Sequence, residues 1–295
     1  MRLSILGALV ALGVAAAQAA AGGTGTSRLI VFSAVPKGAG AAQLFRVTTT
    51  GKGLRQITTG RLSATAPTFS PNGKEVAFTR LGSGIFAVSP GGTGLHRLTS
   101  GSRDSQPVWS PDGKHIAFLR PHKAGWGVYV MSSSGRGVRW LSKAPPAGRP
   151  SWTTDGKAIL IPAGGDLVQI NTRSGKPEKY FGLTLDIQTA GTATVSPDNG
   201  LIAYIGPRLS TGAPDCGEAR CPQYGLYLAN VSGRHRAHKI VNDTGPAGWS
   251  PDGTTLVFVA KGKLTLWAVG LGRKTTIATH PNVPAGDSPP AWQPR

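Results

Sequence analysis

The sequence predicts an all-β fold, a six-bladed β-propeller of four-stranded antiparallel blades whose ring is closed by the C-terminal strand joining the N-terminal blade. Three observations lead there. A ten-residue stretch, Trp109-Ser110-Pro111-Asp112-Gly113-Lys114-His115-Ile116-Ala117-Phe118, returns along the chain at a near-constant interval. Its middle has the chemistry of a tight turn between two strands. The two ends of the chain each carry half of one repeat.

The repeat recurs as Phe69-Ser70-Pro71-Asn72-Gly73 into Val76-Ala77-Phe78, as Trp152-Thr153-Thr154-Asp155-Gly156 into Ile159-Leu160-Ile161, and as Trp249-Ser250-Pro251-Asp252-Gly253 into Leu256-Val257-Phe258. Two copies are more degraded. Val195-Ser196-Pro197-Asp198-Asn199-Gly200 reads as carrying one extra residue before Ile202-Ala203-Tyr204, and Trp292-Gln293-Pro294-Arg295 ends with the chain. The copies sit at 69, 109, 152, 195, 249 and 292, giving intervals of 40, 43, 43, 54 and 43. A period of that size marks an array of supersecondary units.

Within each unit, Pro presets φ at the second turn position, Asp bonds its own backbone and Gly takes the left-handed position. The apolar run that follows is short and nearly continuous, as in a strand buried on both faces. A third strand comes next: Leu44–Val47, Ile85–Val88, Val128–Met131, Leu167–Ile170, Leu226–Ala229 and Leu266–Val269. A Gly-rich turn leads to a fourth, as in Leu54–Thr58, Leu95–Thr99 and Val138–Ser142. Four-stranded meanders repeated radially make a propeller. Leu29-Ile30-Val31-Phe32 is a second strand with no first strand before it, and Pro290-Ala291-Trp292 is a first strand with nothing after it. Together they complete a sixth blade and remove the open edge.

The pattern Trp-Ser-Pro-Asp-Gly-Lys-x-Ile-Ala-Phe, the Ile-Tyr-Val-like third strand and the Gly-Gly turn into Arg-Gln-Leu-Thr resemble the repeats of the TolB-type propeller family, over residues 28 to 295. The resemblance implies a six-bladed ring and a partner that is another envelope protein or a cell-surface polymer. The periplasmic TolB protein has an α/β domain ahead of its propeller, whereas a short segment precedes the first strand here.

Residues 1–19 read as a secretory signal peptide: Arg2, an apolar run through Val14, and the small-x-small site Ala17-Gln18-Ala19. Residues 20–27 read as a flexible leader and 28–295 as one propeller domain. No later segment has the apolar length of a span, so none is expected once the signal is removed. The long interval of 54 comes from an insertion at about 206–224 that holds the only cysteines, Cys216 and Cys221. In an exported chain an even pair on one loop reads as a disulfide. Two thiols without further ligands fall short of a zinc site, and the spacing is not the redox Cys-x-x-Cys.

Lys and Arg number 32 against 13 acids, for a net charge of +19, or +18 after Arg2 leaves. Such a field favours anionic partners such as acidic cell-wall polymers, but the cations are spread over every blade, as on a solvated surface. Nucleic acid is disfavoured for want of a recognised module. A monomer is expected. Nucleophile elbows, zincin motifs, Walker loops and dinucleotide fingerprints are absent, and the six histidines are scattered. His235 and His238 form a short pair on an outer turn and read as surface groups.

Propeller geometry places the second-to-third-strand loops and the blade connections on one face. Arg80, Arg120, His122, Trp126 and the cysteine loop belong there. The connections carry Arg61, Arg103, Asp104, Arg149, Asp243 and Asp287, and they feed the innermost strands. These six residues are the candidate ligand-binding set at the channel mouth, with blade-junction capping as the competing reading. No catalytic residue and no resident metal is assigned. Oxygen ligands from Asp104, Asp243 and Asp287 would suit Ca²⁺. That leaves, as the alternative to a secreted binding scaffold, a metal-assisted hydrolase or lyase acting on an anionic sugar or lactone in the channel. Trp109, Trp152, Trp249 and Trp292 are spaced as packing between blades.

Overall fold

A computed structural model describes residues 28–123, 125–144, 149–163, 166–182, 193–206, 225–231, 238–242, 244–278 and 289–294. Strands are short and follow one another as the repeats dictate. Blade 1 begins with Leu29–Ala34 (β1), Gln43–Thr48 (β2) and Arg55–Gln56 (β3); blade 2 is Ala64–Phe69 (β4), Val76–Arg80 (β5), Gly84–Val88 (β6) and His96–Arg97 (β7). Blade 3 is Ser105–Trp109 (β8), His115–His122 (β9), Gly125–Ser132 (β10) and Arg139–Ala144 (β11); blade 4 is Ser151–Trp152 (β12), Ala158–Ala163 (β13), Asp166–Asn171 (β14) and Pro177–Gly182 (β15). Blade 5 is Ala193–Val195 (β16), Leu201–Gly206 (β17), Gly225–Asn230 (β18) and His238–Asn242 (β19). Blade 6 is Gly248–Trp249 (β20), Thr255–Ala260 (β21), Lys263–Ala268 (β22) and Lys274–Ala278 (β23), before the C-terminal Ala291–Trp292 (β24).

Each blade is a four-stranded antiparallel meander, and the first is completed in the order β24-β1-β2-β3. Trp292 pairs with Ile30 and Ala291 with Val31. The ring is therefore closed by the end of the chain, as the two half-repeats require.

The core consists of apolar clusters between successive blades. Val76 and Phe78 pack toward blade 1, with Val31 and Leu44, while Ala77 between them packs toward blade 3, with Trp109 and Phe118. That alternation explains the continuous apolar runs, since both faces of every second strand are covered. Each such Val, Ile or Phe contributes about 1.5–3 kcal/mol on burial. A cluster of Ile30, Phe32 and Phe45 with Val257, Val259 and Leu264 joins blade 6 to blade 1 like the other junctions. Two of the repeat's indole N–H groups add bonds between blades. Trp152 Nε1 donates to Val108 O at 3.0 Å and Trp249 Nε1 to Thr194 O at 3.1 Å.

The turns show why Ser, Asp and Gly recur. Ser110 Oγ donates to Asp112 Oδ1 at 2.6 Å, while the same carboxylate oxygen accepts the Lys114 N–H and Ser110 Oγ accepts that of His115. Gly113 sits at φ 71°. In blade 5 the spacing is the same, correcting the expectation of an extra residue: Ser196 N donates to Leu201 O as Ser110 N does to His115 O. Asn199 takes the glycine position at φ 60°, a conformation Asn tolerates, and Gly200 stands where Lys74, Lys114 and Lys157 stand in other repeats.

The Gly-rich outer turns pack blade on blade. Gly51, at φ 82°, would place a Cβ 2.6 Å from Ile277 O of blade 6, and a Cβ on Gly135 would overlap Leu98 O of blade 2.

Candidate functional site

The inner strands of blades 2 and 3 share an irregularity that shapes the channel. Ala66 and Gln106 adopt left-handed φ values of 51° and 55°, and the register of β4 with β5 and of β8 with β9 shifts at those points. Each is followed by proline, Pro67 or Pro107. Proline has no N–H for the ladder, so a bulge is where a strand tolerates it. The carbonyls of Pro67 and Pro107 are thereby turned away from their own blades.

Arg149 occupies the corresponding position of blade 4, three residues before Trp152 and followed by Pro150. Its Nη2 donates to Pro67 O at 2.9 Å and to Pro107 O at 3.0 Å. One guanidinium thus ties the inner strands of three successive blades. It makes no ion pair among the described residues, and burial brings its pKa down to about 10. On the neighbouring strand, Gln106 Oε1 is buried without a hydrogen-bond partner. A cation with no counter-charge and an unsatisfied acceptor on the inner strands offer complementary bonds to an anionic or amide group.

Asp104 is turned into its own blade. Its carboxylate is 1% exposed and forked onto Arg120 of β9, at 2.7 Å to Nε and 2.8 Å to Nη2. Arg120 in turn lies over the rings of Phe118 and Tyr129, 5.3 and 5.1 Å from their centroids. Asp104 is thus engaged within blade 3 through both carboxylate oxygens. Arg61 and Arg103 are exposed on the blade connections. Asp243, Asp287, Cys216 and Cys221 lie outside the described residues, as does His235. Among the described residues no group of three His, Cys, Asp or Glu is arranged to hold a metal ion, and no helix is long and apolar enough to cross a membrane.

Beside this pair the long strands of blade 3 carry an aromatic cluster. His122 Nδ1 and Tyr129 Oη are 2.9 Å apart, and His122 stacks on Trp140 at 5.3 Å. Gly127 leaves room for them, since a Cβ there would come within 3.1 Å of Trp140 and Tyr129.

The bulges and the carbonyls they expose escaped the sequence reading. Their signal was present in the proline two residues before the aromatic in Pro67 and Pro107.

Compared with known proteins, residues 17–167 match the family model described as TolB beta propeller domain. Among solved structures, TolB from Acinetobacter baumannii superimposes with a TM-score of 0.73 at 19% identity, covering 97% of this chain and 71% of that one. A putative TolB from Agrobacterium tumefaciens gives 0.57 at 18% identity, covering 86% and 90%. A chain of a nidogen/laminin complex gives 0.64 at 9% identity, covering 90% and 98%. These identities carry the fold alone. No curated protein matches the sequence.

Proposed function

Because the chain belongs to the TolB beta-propeller domain family, we propose that it is an exported binding scaffold whose loop face and channel mouth engage an envelope protein, with Arg149 as the anchor for an anionic group of that partner. The observation behind this reading is the Arg149 guanidinium, fixed by the carbonyls of Pro67 and Pro107 and lacking a carboxylate among the described residues. A fixed, weakly hydrated cation is where an incoming anion gains most. Arg61 and Arg103 on the rim would steer such a partner. Asp243 and Asp287 belong to the same proposed rim. Export with cleavage after Ala19 and a Cys216–Cys221 bridge complete the proposal, and the intact mass of the exported protein reads both. The metal-assisted hydrolase or lyase gains no observation in its favour, because Asp104 is committed to Arg120.

The test is capture from an envelope extract on immobilised protein, comparing wild type with Arg149→Gln and with Asp155→Asn on the opposite face. The expected result is an envelope protein retained by wild type and Asp155→Asn and reduced about tenfold by Arg149→Gln, the loss of one charge-assisted bond. Thermal melts of each variant separate loss of binding from loss of fold. Equal retention by Arg149→Gln, or retention only of an anionic polymer, refutes the reading.

A further inference from the structure

Blades 2 and 3 carry the same arginine with one difference between them. Counting back from Phe69 and Trp109, Ala64 holds the place of Asp104; counting forward from Phe78 and Phe118, Arg80 holds the place of Arg120. The register agrees, since Ala64 is the cross-strand partner of Arg80. In blade 3 the guanidinium faces a buried carboxylate. In blade 2 it faces a methyl group.

The consequences for Arg80 are visible. Its Nη2 donates to Thr59 O at 3.0 Å, while its Nε is buried without a partner. Burial lowers its pKa with no carboxylate to offset it. A second cation stands over the same ring: Arg80 lies 5.3 Å and Arg97 5.9 Å from the centroid of Phe86. Arg97 is held by carbonyls alone, Thr99 O at 2.6 Å, Ser83 O at 2.7 Å and Ser100 O at 2.9 Å. Neither arginine makes an ion pair among the described residues. Alongside are two exposed leucines, Leu62 at 45% and Leu81 at 51%, brought together by the bond from Leu81 N to Ser63 O at 2.9 Å.

We infer that Arg80 and Arg97 form a receptor for a carboxylate carried by a partner polypeptide, an Asp or Glu side chain flanked by apolar residues that cover Leu62 and Leu81. The partner's carboxylate supplies from outside the counter-charge that Asp104 gives Arg120, reaching the exposed end of the Arg80 guanidinium and not its buried Nε. Two pre-positioned guanidiniums suit a forked carboxylate, and the leucines supply the apolar contact that makes an acidic peptide, rather than a free anion, the fitting occupant. This rests on the reading that the loop face binds protein, and it places a second contact at blade 2, away from Arg149.

The test follows the arginine Nε–H signals of ¹⁵N-labelled protein during titration with N-acetyl-Leu-Asp-Leu-amide, with N-acetyl-Leu-Asn-Leu-amide as the neutral control. The expected result is saturable movement of the Arg80 and Arg97 signals by the Asp peptide, with Kd on the order of 1 mM for so small a ligand. The Asn peptide should bind at least tenfold more weakly. Arg80→Gln should abolish the response. Ala64→Asp, which supplies the carboxylate from within as in blade 3, should abolish it too, with the Arg120 signal unchanged as the check on fold. No response to the Asp peptide, an equal response to the Asn peptide, or an undiminished response in Arg80→Gln overturns the inference. The titration needs no natural partner, so its failure leaves the Arg149 capture result standing, and failure of that capture leaves the titration readable.

Discussion

The Asp104–Arg120 pair gives a test in which the two halves should not be equivalent. Asp104 is 1% exposed, whereas the Arg120 side chain retains 27% exposure. Replacing Arg120 by Met, of similar reach, leaves a carboxylate buried without its cation, a situation that costs about 3–5 kcal/mol. Replacing Asp104 by Ala leaves a guanidinium that can turn to water while still lying on Phe118 and Tyr129, so the cost is the lost charge-assisted bonds, about 1.5–3 kcal/mol. Blade 2, with Ala64 opposite Arg80, already lives with that arrangement. The double variant removes both charges and is expected within about 2 kcal/mol of wild type, well short of the sum. Urea unfolding followed by circular dichroism measures all three, with the midpoint reporting stability and a constant slope reporting an unchanged native state. An Arg120→Met cost no larger than that of Asp104→Ala would refute the reasoning. Asp104 would then be free to serve as a ligand-binding carboxylate.

Two further outcomes follow from the turns. Gly135 and Gly137 both have positive φ, 81° and 65°, but a Cβ on Gly137 meets open space while one on Gly135 overlaps the Leu98 carbonyl of the preceding blade; Gly137→Ala is expected to cost about 1–2 kcal/mol and Gly135→Ala at least twice that, as compared by thermal melting. Acid should loosen the ring through the turns in which a Ser or Thr hydroxyl donates to an Asp two residues on. The Ser110 hydroxyl and Lys114 N–H hold Asp112 below the usual carboxylate range, and the Lys157 N–H and Thr153 hydroxyl do the same for Asp155. For Asp252 burial pushes upward, but the donors of Ser250 and Thr254 outweigh it. A carboxylate whose folded pKa is depressed contributes stability that is complete above its unfolded pKa of about 3.9 and is lost as pH falls through the folded value. Melting temperature should therefore decline from about pH 5 downward, and replacing Asp112, Asp155 and Asp252 by Asn together should flatten that decline.

The fold was legible because a propeller repeats its instructions. Turn residues such as Ser110, Asp112 and Gly113 act within a few positions of themselves, and the second strands read as apolar because neighbouring blades cover both faces. The site was less legible for a physical reason. Asp104 and Arg149 look alike in sequence, both polar residues on a connection into an inner strand, yet one is turned into its blade by Arg120, 16 residues on, and the other reaches Pro67, 82 residues back. Long-range partners of that kind leave no local pattern. Comparing columns between repeats does recover some of them, since the Ala64 and Asp104 difference is written in the sequence and gains meaning once Arg80 and Arg120 are seen to face those positions.

The closing strand carries one more implication, about time rather than shape. Trp292 pairs with Ile30 across almost the whole chain, Gln293 N donates to Leu29 O at 2.9 Å, and the Gln293 side chain touches Gly73 of blade 2. A ribosome delivers Leu29 long before Gln293, so β1 waits with an unpaired inner edge while five blades are made. No described strand earlier in the chain can substitute for that final pairing without leaving its own blade. The ring is therefore acquired in a late step of large sequence separation, slow by its topology, and a chain truncated before Ala291 would keep an adhesive edge exposed for its lifetime.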